Sequence, residues 1–424
     1  MPATTADLIE RRARLLGPSY RLFYDEPLHP VRGEGVWLFD AEGRRYLDAY
    51  NNVVCVGHAH PQVVEAIARQ AATLNTHTRY LHEGVLDYAE RLLATMPAEL
   101  GHAVFTCTGS EANDLALRIA RTHTGGEGVI ITSFAYHGVT ASLAEASPSL
   151  GHYVQLGRAV RTVPPPDGDH LDAETLGRHF ADGVRRAIAD LQAAGIRPAA
   201  LLVDTVFSSD GIFTGPRGFL QEAVAAIREA GGVFIADEVQ PGFGRTGEAF
   251  WGFARHGVVP DIVTMGKPMG NGHPVAGLAV RPEVMAAFGR QCRYFNTFGG
   301  NPVSMAAAAA VLDVLQDGGL QANAQAVGEH LMAGLRQLGE KHALVGQVRG
   351  AGLFIGVELV TDRARRTPAT AEAARVVNGL RQAGVLLSAT GEAAHILKLR
   401  PPLVFERAHA DLLVQTLDDV LARL

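Results

Sequence analysis

The chain has 424 residues, 47% hydrophobic and 19% charged, with a formal net charge of -6. That length exceeds the size at which one hydrophobic core keeps growing, so two domains are expected, and the composition excludes disorder. An acidic balance without basic runs leaves no footprint for nucleic acid or for an anionic membrane surface.

Cys55, Cys107 and Cys292 have no metal-like spacing, and reduced thiols are the simplest account of them. The amino terminus carries Asp7 and then Glu10-Arg11-Arg12, with no apolar stretch for a signal peptide. The most apolar long segment, residues 305–315, is interrupted by Asp313 and is too short to span a bilayer. These features predict a cytoplasmic protein.

In chain order, residues from about 6 to 17 carry helical periodicity. Residues 35–40 and 46–48 flank a glycine-containing turn and predict a hairpin. His58-Ala59-His60 has ligand chemistry, but no third ligand is placed beside it and Pro61 predicts a helix start. Capping and packing are therefore expected there, and no metal. From about residue 60, short apolar runs at 103–105, 128–132, 200–203, 233–236, 262–265 and 277–280 alternate with helical stretches such as 111–121 and 219–230. That alternation predicts an α/β fold: a mostly parallel sheet flanked by helices. The alanine-rich stretch 302–315 predicts a tightly packed helix. Beyond about residue 320 the pattern becomes α+β, around 345–349 and 353–359, and ends in a helix over 408–424. The expected division is an amino-terminal segment (1–55) joining the small domain, a large domain (56–320) and a smaller carboxy-terminal domain (321–424). The smaller α+β unit is thus built from both chain ends.

In an open parallel sheet, ligands sit beyond the carboxyl ends of the strands. Asp237 follows the run 233–236, and Lys267 lies two residues after the run 262–265. The chain has only three lysines among its 38 basic residues, so a lysine kept inside Gly266-Lys267-Pro268-Met269-Gly270 asks for a reason. A desolvated amine can attack an aldehyde; a guanidinium cannot. An amine and an acid at neighbouring strand ends suit pyridoxal phosphate, which needs a Schiff-base lysine and a partner for its ring nitrogen. Thr108-Gly109-Ser110-Glu111 runs from a strand into a helix. Such a helix start can hold a phosphate, although Thr-Gly-Ser alone is more often a cap. Tyr136 and His137, after the next strand, can cover an aromatic ring by stacking. Gly242-Phe243-Gly244-Arg245-Thr246-Gly247 matches the dinucleotide fingerprint. Asp237 and Glu238 just before it would repel a pyrophosphate, and residues 248–252 make a poor helix to receive one, so no nicotinamide or flavin site is expected.

Six motifs in order carry a family resemblance: Thr108-Gly109-Ser110-Glu111-Ala112-Asn113, Ala135-Tyr136-His137-Gly138, Phe234-Ile235-Ala236-Asp237-Glu238-Val239-Gln240, Gly242 to Gly247, Gly266-Lys267 and Thr297-Phe298-Gly299-Gly300-Asn301-Pro302. Together they resemble the class III aminotransferases, which are fold-type I pyridoxal-phosphate enzymes, and the likeness runs from Tyr46 to Pro402. The resemblance implies pyridoxal 5'-phosphate as cofactor. It implies that Lys267 forms the internal aldimine and shuttles the proton, and that Asp237 keeps the ring nitrogen protonated. Gly109 and Ser110 would bind the cofactor phosphate, Tyr136 and Val239 would cover the two ring faces, and Gln240 would lie near the ring hydroxyl. Thr297 would reach the phosphate of a second subunit's cofactor, which implies a homodimer with shared active sites.

Arg400, in Lys398-Leu399-Arg400-Pro401-Pro402, matches the family arginine that clamps an α-carboxylate. In many relatives a glutamate gates that arginine. Here the corresponding segment is Asp204-Thr205-Val206-Phe207-Ser208-Ser209-Asp210-Gly211, where Asp204 keeps the first acid and Ser209 stands in the gating position. Residues 50–58 and 74–82 look most like the branch of alanine–glyoxylate aminotransferase 2-like proteins and ethanolamine-phosphate phospho-lyases. The expected activity is transamination from an amine or amino acid to a small oxo acid such as pyruvate. The alternative is a phospho-lyase that expels phosphate from a phosphorylated amino alcohol such as ethanolamine phosphate, with Arg79 the cation for the substrate phosphate. Tyr20, Phe23 and Tyr24, with side chains from the second subunit, are expected to shape the substrate pocket.

Overall fold

The structure is a computed structural model describing residues 4–168 and 170–424; residues 1–3 of the expected amino-terminal segment, and Asp169, lie outside the described residues. Near the amino terminus a helix (Thr5–Leu16) is followed by β1 (Pro30–Glu34), β2 (Trp37–Asp40) and β3 (Arg45–Asp48). β2 and β3 form the expected hairpin, with Trp37 opposite Leu47. β1 adds an outer strand that the sequence did not announce, because most of its residues are exposed and follow no alternation.

The chain then builds β4 (His102–Thr106), β5 (Gly128–Thr132), β6 (Val160–Val163), β7 (Pro198–Asp204), β8 (Val233–Asp237), β9 (Ile262–Met265) and β10 (Ala276–Val280). They form one sheet in the order β4-β10-β9-β8-β7-β5-β6. It is parallel from β9 through β6, and β10 alone runs antiparallel to both its neighbours. The six expected strands are present. β6 was not expected: it is an edge strand reading Val-Arg-Thr-Val with a half-exposed middle, too short and polar for a buried run. Helices cover the sheet because their apolar residues fall on one stripe. In the Ala173–Ala193 helix Leu176, Phe180, Val184, Ile188 and Leu191 are all buried.

The last part of the chain folds as β11 (Val345–Ala351), β12 (Phe354–Asp362), β13 (Thr367–Pro368), β14 (Val385–Leu386), β15 (Ser388–Thr390) and β16 (Ile396–Leu399), packed against the helices Leu320–Lys341, Thr370–Ala383 and Arg407–Leu421. β14 leaves this sheet to pair in parallel with β3, so that Val385 faces Leu47 and Leu386 faces Asp48. The amino-terminal hairpin is thereby stitched to the carboxy-terminal unit. Arg366 adds a polar tie by donating to Asp167 at 2.9 Å and to Glu358 at 2.7 Å. Among the described residues no single helix is long and apolar enough to cross a membrane.

Candidate active site

Parallel pairing brings the acidic strand ends together. Asp204 at the end of β7 is in register with Asp237 at the end of β8, and Asp237 with Thr264 in β9. A cavity of about 210 Å³ opens on this edge, lined by Gly109, Ser110, Tyr136, Asp237, Val239 and Lys267 among others. Lys267 sits in a tight turn closed by Met269 N–H to Gly266 O at 2.8 Å. Burial, and then the charge of Arg400, lower its amine from an ordinary 10.5 to about 8, against the opposing pull of Asp237 and Asp204. A usable fraction of neutral nucleophile is therefore present near neutral pH.

The Asp237 carboxylate is held from several sides. It accepts from His137 Nδ1 at 2.8 Å, from Asn113 Nδ2 at 2.9 Å and from the Val239 N–H at 3.1 Å. Asn113 is oriented in turn by Thr264, whose hydroxyl donates to its Oδ1 at 2.6 Å. His137, able by its position to cover a ring or to sit as a core-edge residue, turns to the acid and fixes it. Asn113 was not singled out by the sequence. Its signal was its spacing, four residues after Gly109 on the helix face that meets the sheet.

The helix Gly109–Thr124 starts with a capping box: the Thr108 hydroxyl accepts from Glu111 N–H at 3.1 Å, and the Glu111 carboxylate accepts from Thr108 N–H at 2.9 Å. Cap and cradle therefore coexist. Thr108 does the capping, while Gly109 and Ser110 occupy the first turn, whose N–H groups have no partner inside the helix. A Cβ on Gly109 would lie 2.9 Å from the Val239 side chain, so only glycine leaves this approach open. Amides at a helix start, a fixed acid, a lowered amine and the flanking Tyr136 and Val239 fit the phosphate, ring nitrogen, aldehyde and ring faces of pyridoxal phosphate.

The opposite wall is built from distant segments. Lys398 and Arg400 are two residues apart and project to the same side of the β16 strand line. Arg400 is buried; its Nη1 donates to Gln240 Oε1, and its guanidinium lies 4.6 Å from the centroid of the Tyr50 ring. Gln240 lines the cavity and donates from Nε2 to Ser208 Oγ at 2.6 Å. The Ser208 hydroxyl donates to Asp204, and its carbonyl accepts from Lys398 Nζ at 2.8 Å. Burial pushes Asp204 and Lys398 toward their neutral forms. Ser209 is tied elsewhere, its carbonyl accepting from Gly391 N–H at 3.1 Å. Asp210 turns away to Thr132 and to Phe134 N–H, and burial raises its carboxyl to about 6.

The remaining expected residues lie farther out. Tyr20 is 66% exposed beside Arg12 and does not line the cavity. Phe23 and Tyr24 approach the clamp indirectly, the Phe23 ring lying 5.2 Å from that of Tyr50 and the Tyr24 hydroxyl donating to Leu387 O. Arg79 is exposed and stacks over Phe295 at 3.8 Å; Thr297, two residues further on, is exposed as well. His58 packs against Asp48, with Nε2 to Oδ2 at 2.7 Å. His60 precedes the Pro61–Ala71 helix, but its side chain makes no capping bond. No helix follows the Gly242–Gly247 loop directly. The loop packs so closely on the Leu320–Lys341 helix that a Cβ on Gly247 would lie 2.6 Å from Gln325 Cα. Arg245, which sequence reasoning passed over, is wholly buried there and donates to Pro401 O at 2.7 Å and Leu353 O at 3.0 Å. Burial lowers its guanidinium to about 9.

Comparison with known proteins agrees with this geometry. The family model described as aminotransferase class-III matches residues 24–421. An alanine–glyoxylate aminotransferase 2-like protein of Drosophila melanogaster is 43% identical over 96% of this chain and 85% of its own length. A phospholyase from Arthrobacter, solved in complex with phosphoethanolamine, superposes with a TM-score of 0.95 at 46% identity, covering 99% of this chain and 100% of that one. An amine transaminase from an uncultivated Pseudomonas species, solved with pyridoxal phosphate bound, gives 0.86 at 31% identity, covering 94% and 95% of the two chains. The chain therefore belongs to the class III aminotransferases, with pyridoxal phosphate as its cofactor.

Proposed function

We propose that this enzyme is a phospho-lyase acting on a phosphorylated amino alcohol of the ethanolamine-phosphate class. The observation that supports this reading is the gradient of likeness: 46% identity and a TM-score of 0.95 to a phospholyase, against 31% and 0.86 to an amine transaminase. Pyridoxal phosphate supplies a conjugated ring that accepts the electron pair left at Cα. The Lys267 amine takes the Cα proton. Asp237, fixed by His137 and Asn113, would keep a proton on the ring nitrogen, and Gly109 and Ser110 would hold the cofactor phosphate at the helix start. The Cβ–O bond then breaks, phosphate leaving with the bonding pair. One water is consumed, and ethanolamine phosphate becomes acetaldehyde, ammonia and inorganic phosphate, with no oxo acid required. Arg79, stacked over Phe295, and Thr297 are both exposed, a placement that suits delivery to a second copy of the chain in a homodimer.

Transamination is the second reading, favoured by Arg400: a buried cation beside the cavity is what an oxo-acid carboxylate needs. One experiment separates the two. Holoenzyme is mixed with ethanolamine phosphate and no oxo acid, and phosphate and ammonia are followed together. Equal release of both is expected. No phosphate there, with alanine formed from pyruvate and an amine donor, would overturn the lyase reading in favour of transamination.

A further inference from the structure

The gating acid is missing, yet Arg400 is not left open. Its Nη1 donates to Gln240 Oε1, and Gln240 is pinned at its other end by Ser208 Oγ at 2.6 Å. Ser208 is itself immobilised, its hydroxyl donating to Asp204 and its carbonyl accepting from Lys398 Nζ at 2.8 Å and from Thr390 Oγ1 at 3.1 Å. Gln240, Ser208, Lys398 and Arg400 are each less than a tenth exposed. Lys398 is one of only three lysines in the chain, and the other two are accounted for: Lys267 by its chemistry, Lys341 by a surface pair with Asp418.

We propose that Ser208 and Lys398 hold Gln240 as a neutral latch on Arg400, and that this latch makes the site prefer amines without a carboxylate. The proposal rests on the phospho-lyase reading for its purpose, because ethanolamine phosphate has no carboxylate for Arg400 to clamp. In many relatives, as the family resemblance describes them, a glutamate gates the matching arginine so that amines without a carboxylate can also bind. Gln240 is anchored at both ends and cannot swing without breaking a buried bond to Ser208. A carboxylate that claims Arg400 leaves the Gln240 carbonyl oxygen buried without a donor, and one unmet buried acceptor costs about 10-fold or more in binding. An amine lacking the carboxylate leaves the latch intact and meets no such penalty. Ser208 and Lys398 are positioning residues here: they act through Gln240 and Arg400, not on the reacting atoms.

The test reads binding to the holoenzyme, not turnover. L-serine and ethanolamine differ only in the carboxylate, and the absorbance change on adding each amine gives an apparent Kd. In Ser208→Ala, Gln240 loses its anchor, and the preference for ethanolamine over serine should fall about 10-fold, through tighter serine binding. Lys398→Met should shift the ratio the same way by a smaller factor. Ser208→Thr keeps the hydroxyl and should restore the wild-type ratio. An unchanged ratio in both Ser208→Ala and Lys398→Met overturns the latch, as does loss of cofactor absorbance in both, since the network would then serve folding alone. A wild-type enzyme that releases no phosphate from ethanolamine phosphate sinks the lyase reading, but the ratio still tests the latch.

Discussion

The two walls of the cavity are made differently. The cofactor wall comes from the ends of β8 and β9 and one helix start, where each functional residue is placed by the strand or helix immediately preceding it. The clamp wall comes from Tyr50, Ser208, Gln240, Lys398 and Arg400, drawn from segments remote in sequence, Ser208 and Lys398 being 190 residues apart. Local geometry positions the first wall, whereas tertiary packing assembles the second. Changes on the cofactor wall should abolish reaction with every substrate; those on the clamp wall should sort substrates from one another.

The largest effect is expected from Lys267→Ala, which should remove the Schiff-base absorbance and slow turnover by roughly 10^4-fold or more. Borohydride reduction of the native enzyme followed by peptide mapping should place the label on Lys267. A label on Lys341 or Lys398 would break the comparison at its root.

Asp237→Asn comes next. The amide cannot hold a proton on the ring nitrogen, so steady-state turnover should fall about 10^2- to 10^4-fold while the cofactor stays bound. A selective loss confined to one substrate class would place Asp237 on the wrong wall.

Arg400→Ala should discriminate. Any oxo-acid half-reaction should weaken by about 30-fold to several-thousand-fold, the equivalent of roughly 2–5 kcal/mol for an unpaired buried charge contact. Phosphate release from ethanolamine phosphate should change far less. Equal losses in both assays would mean that the clamp wall serves the chemistry as well.

Gly109→Ala inserts a Cβ 2.9 Å from Val239 Cγ1. Overpacking of this kind costs roughly 1–3 kcal/mol, so cofactor affinity, measured by titrating cofactor-free enzyme, should weaken about 5- to 150-fold. Unchanged affinity would show that the phosphate does not approach this turn.

The smallest expected effect is that of pH on reconstitution. Only the neutral amine attacks the aldehyde, and Lys267 is lowered from 10.5 to about 8. The rate of cofactor attachment should therefore rise about tenfold between pH 7 and pH 9 and then level off. A rate still climbing steeply above pH 10 would mean that the amine is not desolvated.

Much of this was legible in the sequence. β8 and β9 are buried along their whole length because both faces of a parallel sheet are covered, and Asp237 and Lys267 stand at the end of the one and just past the other. β1 and β6 were not legible, since an exposed edge needs no apolar pattern. Nothing local to His137 shows whether it covers a ring or lies at the core edge. Its turn toward Asp237 depends on the neighbouring strand, 100 residues on in sequence.

By itself the sequence determined the α/β alternation, the strand-end amine and acid, and the capped helix start, because periodicity and capping act within a few residues. Only the tertiary structure decided that Arg245 braces Pro401, that Gln240 spans Ser208 and Arg400, and that Asp210 turns away from the gate. Those contacts are made where segments remote in sequence are packed together out of water. Each buried polar group there takes whatever partner the fold supplies, and no local pattern announces which one that will be.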